Sequence, residues 1–183
     1  MTRDEAWTLL NEYTKGEGLI RHALSVEAGM RAYARRLGGD EETWGLTGLL
    51  HDFDYERWPT PPDHPLKGSE ILRTKGCPEE IVRAIQSHAK YLQVSRESPM
   101  EKALFAVDEL TGMITATALV QPSRRLEGLQ AASVLRKMKS KGFARSVNRE
   151  DIVEGAADLG VELEAHVAFV IEAMRGIAPQ IGL

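Results

Sequence analysis

Six side chains in the first two thirds of the chain have the types and spacing of a metal site: His22, the adjacent pair His51-Asp52, His64, His88 and Asp108. The pair closes an apolar run, Leu49-Leu50, and a further carboxylate, Asp54, follows two places on. Neighbouring helical residues point about 100° apart, so His51 and Asp52 can reach one ion together only from a helix end pressed against a small central site. Other segments must then supply the remaining ligands. Imidazole together with carboxylate suits a divalent first-row ion such as iron, manganese, nickel, cobalt or zinc, whereas a site for magnesium alone would use oxygen ligands. The absence of sulfur ligands argues against structural zinc. A single buried histidine is ordinarily a satisfied structural group, and His166, outside the series, takes that reading. For the whole series, unrelated structural roles would bury several polar groups on apolar faces, each costing about 1–3 kcal/mol if unpaired.

The order His22, His51-Asp52, Asp108 resembles the HD superfamily of metal-dependent phosphohydrolases, and the intervening His64 and His88 resemble its binuclear branches, over roughly residues 18 to 115. Those branches include the HD-GYP cyclic-dinucleotide phosphodiesterases and the HD-type diadenosine tetraphosphate hydrolases. The Gly-Tyr-Pro element of the first group is absent. So is the glutamate that the mononuclear 5′-nucleotidase branch carries three places after the doublet, where this chain has Tyr55. The resemblance implies that His22, His51, Asp52 and Asp108 hold one metal and that Asp52 bridges to a second held by His64 and His88. Two such ions can share a hydroxide, lower its pKa toward neutrality and stabilise both oxygens of an in-line displacement at phosphorus. With one ion only, His64 and His88 are free to contact phosphate or protonate the leaving oxygen. Asp54 is the candidate for orienting the nucleophilic water or a metal-bound histidine. Arg21, Lys67 and Lys90, each beside or within three residues of a ligand histidine, are candidates for neutralising phosphate, set against an ordinary solvated or ion-paired role. Lys139, Lys141 and Arg145 are further candidates from the C-terminal part, although the basic run Arg136 to Lys141 also suits a solvated helix end.

These ligands need helices to carry them. His22 shares an apolar stripe with Val26, Gly29-Met30 and Tyr33 on a helix over Leu19 to Leu37, and Gly38-Gly39 ends it. Asp40 caps the next, which runs through Trp44 and Leu46 to the doublet, with Gly45 and Gly48 permitting close helix contact. The proline-rich stretch Trp58 to Asp63 delivers His64 from a loop or from the start of a helix His64 to Thr74, and suits either a lid or a rigid connector. Pro78 opens a helix in which Ile81-Val82, Ile85 and His88 share one face. Ser98 with Glu101 forms a capping box for a long helix through Leu119, with Asp108 on its inward face. Thr2 caps a first helix ahead of all these. Beyond Pro122 the expected helices are Leu126 to Met138, Arg149 to Leu159 capped by Asn148, and Val161 to Ile177. No segment alternates with period two, so the fold class is all-α: an HD-type helical bundle with a C-terminal helical extension. One domain is expected over 1–183, with a metal core at about 18–120 and a helical cover at about 123–183.

Composition sets outer bounds. The 183 residues are 43% hydrophobic and 27% charged, ordinary for a soluble globular protein, and the net charge of −4 gives no reason to expect extended nucleic acid as a partner. No apolar run approaches the length of a membrane span, and the acidic start Met1-Thr2-Arg3-Asp4-Glu5 is unlike a signal peptide, so the expected location is the cytoplasm. The one cysteine, Cys77, reads as a turn residue or a cap neighbour with no catalytic role. The leading functional expectation is a metal-dependent phosphohydrolase holding one or two divalent ions and acting on a small phosphorylated metabolite, foremost a nucleotide phosphoester or phosphoanhydride. Two others stand beside it: a non-catalytic sensor of nucleotide or metal that acts through a protein partner, and a helical interaction protein whose metal staples the core. The sequence leaves the oligomeric state open.

Overall fold

A computed structural model describes all 183 residues as ten α-helices and one 3-10 turn, with no strand. In chain order they are α1 (Arg3–Tyr13), α2 (Glu17–Leu37), α3 (Glu41–Leu50), α4 (Asp63–Thr74), α5 (Glu79–His88), the 3-10 turn Lys90–Leu92, α6 (Pro99–Leu119), α7 (Ala131–Met138), α8 (Arg149–Asp158), α9 (Leu163–Arg175) and α10 (Ala178–Ile181). The all-α architecture expected from the sequence is the one the chain adopts.

Local chemistry starts most of these helices. Thr2 and Ser98 each form a reciprocal capping box, with Glu5 and Glu101 respectively. Asp40 and Asn148 accept from the first-turn amides of α3 and α8. α2 ends on Gly38 in the left-handed conformation. The chain leaves α3 at His51 and runs through consecutive turns, and α4 is broken near its start, where His64 has ψ 135.

α2 and α6, each 21 residues long, form the central layer, with α3 and α9 against α2 and α5, α7, α8 and α9 against α6. The approach of α8 is limited by Gly155: a Cβ there would stand 2.6 Å from the Ala106 Cα. One cluster of 38 buried apolar residues runs from Ala6 to Ile181, so the N-terminal and C-terminal helices share a single interior. His166 supplies a polar link through that interior: its Nε2–H donates to the Ala106 carbonyl at 2.8 Å and its Nδ1 accepts from the Tyr33 hydroxyl at 2.6 Å. Burial pushes the imidazole's pKa down, in keeping with a neutral ring.

Three segments depart from the expected pattern. The helix read from Leu126 begins only at Ala131. Leu126 and Leu129 are buried in a turn with Gly128 at φ +73, and the Arg175 guanidinium donates to both leucine carbonyls, at 3.2 and 2.7 Å, in place of helical amides. The last helix is shorter than Val161 to Ile177: Glu162 caps it and Gly176 closes it, leaving α10 as a separate turn. Pro78 occupies the N-cap position of α5 rather than its first turn, and Cys77 before it is buried.

Candidate metal centre

Five segments bring the six candidate ligands together. His22 comes from the second turn of α2, His51 and Asp52 from the end of α3, His64 from the break in α4, His88 from the last turn of α5 and Asp108 from the middle of α6. The six side chains sort into two groups, His22-His51-Asp108 and Asp52-His64-His88, each with ligand atoms within 4.8 Å of one another. His22 Nε2 lies 3.0 Å from Asp108 Oδ1 and 3.2 Å from His51 Nε2. The two oxygens of Asp52 divide between the groups. Its Oδ1 is 3.2 Å from His64 Nε2 and 3.4 Å from His88 Nε2, while its Oδ2 is 3.5 Å from His51 Nε2 and 4.0 Å from His22 Nε2.

The opposite ring nitrogens fix the tautomers. His51 Nδ1–H donates to the Gly48 carbonyl at 2.8 Å, and His88 Nδ1–H donates to the Ile85 carbonyl. His64 Nδ1–H donates to Asp54 Oδ1 at 2.8 Å. The Thr111 hydroxyl gives its proton to the Asp108 carbonyl at 2.9 Å, so it accepts from His22 Nδ1–H at 3.2 Å. All four rings therefore aim Nε2 inward. In neutral rings those nitrogens carry lone pairs, and two of them face each other across 3.2 Å beside two carboxylates. Such a cluster is held together by positive charge at its centre, supplied by protons or by metal ions, and its nitrogen and oxygen donors fit a divalent transition metal.

The titration behaviour says the same without metal. Burial alone would raise the Asp52 carboxyl, but His51, His64 and His88 around it hold it well below the usual carboxylate range. Asp108 is likewise held down against burial by His51 and His22. Burial lowers the His64 pKa, yet hydrogen bonds with Asp52 and Asp54 outweigh it and push the ring up to about 9. His51 and His88 are also raised against burial, by Asp52 and Asp108.

Asp54 is fully buried and accepts from His64 Nδ1–H and, through Oδ2, from the Gly68 amide at 2.8 Å. It touches a candidate ligand rather than the interior of the centre. A Cβ on Gly68 would lie 2.7 Å from the Asp54 carboxyl carbon, so the bare glycine is what lets α4 close on it. The Tyr91 hydroxyl donates to the His64 carbonyl at 2.5 Å, and the Tyr55 ring meets the His64 ring edge to face at 5.1 Å.

A cleft of about 760 Å³ opens onto the centre. Lys90 lines it but is bonded to Asp151 at 3.0 Å and Glu154 at 2.7 Å. Arg21 and Lys67 do not line it: Arg21 pairs with Glu17 at 3.0 Å and Lys67 lies 3.8 Å from Glu70. Lys139, Lys141 and Arg145 also lie off it, and the C-terminal part contributes Ser146, Val147, Asn148 and Asp151 instead. The sequence reading assigned no role to Tyr91, Glu109 or Asp151, and it gave Asn148 only a capping role. Glu109 follows a ligand directly in sequence, which on a helix ordinarily means a different face. Burial and the neighbouring Asp108 push its carboxyl up to about 7.

No solved structure gives a significant match to the chain. The family model described as the HD domain matches residues 19–113, more than half of the 183 residues and a span that contains all six converging side chains. On that match the chain belongs to the HD domain family, whose members are in general metal-dependent phosphohydrolases.

Proposed function

We propose that this protein hydrolyses a small phosphorylated metabolite, with nucleotides as the leading class, at a centre of two divalent ions. The observation that carries the reading is the split of Asp52, whose two oxygens face separate sets of imidazoles 3.2 to 4.0 Å away. A carboxylate so placed suits bridging. Ions held there would supply Lewis acidity at phosphorus and a water acidified toward neutrality.

The chain's own groups do the rest. His22, His51 and Asp108 would bind one ion, His64 and His88 the other, with each ring held in its tautomer by Thr111, Gly48, Asp54 or Ile85. Asp54 orients His64, and Tyr91 anchors the backbone of the broken segment that carries it. Asp52 and Asp108 each keep 20% of their side-chain surface exposed and His22 keeps 22%, facing the cleft. An ion that only stapled the core would favour a closed shell of ligands, so this exposure supports a substrate-accessible centre.

The test is phosphate release from a panel of phosphorylated metabolites by protein loaded in turn with manganese, iron(II), cobalt, nickel or zinc. Asp52→Ala is expected to reduce turnover by about a thousandfold or more while leaving the helical circular dichroism intact. Full activity in that variant, or no turnover of any compound with any metal, would overturn the proposal. Tight nucleotide binding without turnover would point to a sensor.

A further inference from the structure

We propose that the cleft selects phosphomonoesters whose organic part carries no negative charge, and that Glu109 is the residue that sets this preference. The inference rests on the phosphohydrolase reading and narrows it. Monoester and phosphoanhydride substrates suit the metal ligands equally; the wall beyond them does not treat the two alike.

That wall has no arginine, and its only lysine is Lys90, whose ammonium is matched by two carboxylates. Glu109 and Asp151 face the same space, and no lysine or arginine pairs with Glu109. Both acids are fixed by one residue. The Asn148 backbone amide donates to Glu109 Oε2 at 3.1 Å, and its side-chain Nδ2 donates to Asp151 Oδ2 at 2.8 Å. Ions in the centre would offset Asp52 and Asp108 and hold one phosphoryl group. Further phosphates would find no cationic side chain free of carboxylate partners and would lie near a fixed carboxylate in a recess that concentrates its field. The rest of the wall includes Tyr55, Tyr91, Pro59 and Pro61. Such flat apolar surfaces suit an uncharged organic group, and aromatic faces also accept a cationic one.

The test measures binding separately from turnover. Manganese-loaded protein at about pH 8.5, where the carboxylates are ionised, is titrated by calorimetry with three arylphosphonates: phenylphosphonate and its 4-carboxy and 4-trimethylammonio derivatives. Their carbon–phosphorus bond is not a phosphoester, so hydrolysis does not enter. The carboxylated compound is expected to bind about tenfold more weakly than the neutral one, and the cationic compound at least as tightly. Glu109→Gln, checked for unchanged manganese stoichiometry, should bring the neutral-to-anionic ratio to about twofold. Equal binding of the neutral and carboxylated compounds, an unaltered ratio in Glu109→Gln, or no binding of any of the three overturns the inference. Turnover of the matching aryl phosphates reports the hydrolase reading independently: the same charge ranking without phosphate release would sink that reading and leave the selectivity of the cleft standing.

Discussion

Replacing Asp54 by asparagine keeps its size and removes its charge, which makes it a sharp probe of the second group of ligands. The aspartate accepts two hydrogen bonds of 2.8 Å, from the Gly68 amide and from His64 Nδ1–H. An asparagine can accept only one of them through its oxygen and must present its NH₂ to the other partner. The Gly68 amide cannot give up its proton, and leaving it against another donor would cost about 1–3 kcal/mol. The imidazole can adapt by moving its proton from Nδ1 to Nε2. The asparagine oxygen then serves Gly68 and its NH₂ serves His64 Nδ1, at little cost to the fold. The proton now on Nε2 removes the lone pair that faced Asp52 Oδ1 at 3.2 Å. Asp54→Asn should therefore fold normally and bind one ion as before, with affinity for the second reduced about 10- to 100-fold, or roughly 1.4–2.7 kcal/mol. Calorimetric titration of metal-free protein with manganese reads both events. Two ions bound at unchanged affinity by a folded Asp54→Asn would refute the tautomer argument.

The His64 charge and the α8 packing each give a further outcome. In metal-free protein the His64 pKa of about 9 lies above its unfolded value of about 6.5, so the stability it contributes is complete below that lower value and is lost as pH rises through 9. Thermal melts in chelator should fall across this window while the melting-point gain on adding manganese grows; a metal effect that shrinks with rising pH would contradict the assignment. Gly155→Ala would place a methyl against the Ala106 backbone at 2.6 Å, where no side chain can swing aside. It should destabilise the fold by about 1–3 kcal/mol, seen as a lower urea midpoint, and an unchanged midpoint would show that α8 is free to shift.

What was legible in the sequence was what depends on near neighbours. Thr2, Asp40, Ser98 and Asn148 announce their helices because a cap bonds to amides within three residues. His22 and His88 could be placed on inward faces because apolar residues at helical spacing flank them. The cationic candidates show the limit of the same logic. Arg21 adjoins His22, but adjacency on a helix turns a side chain about 100° away from its neighbour. Lys67 is three residues after His64, but the helix is broken at His64 and Pro65, so helical spacing does not carry across. The turn at Leu126–Leu129 depends on Arg175 from α9, and the Glu109 wall depends on Asn148 from the start of α8. Neither partnership leaves a mark in the local pattern.

Asn148 both caps α8 and ties that helix to the wall of the cleft. All six candidate ligands lie at or before Asp108, whereas the amide and carboxamide that position Glu109 and Asp151 come from forty residues later in sequence. If the proposed selectivity holds, substitutions around residues 146 to 151 would reshape the wall that faces the substrate while leaving all six candidate ligands in place.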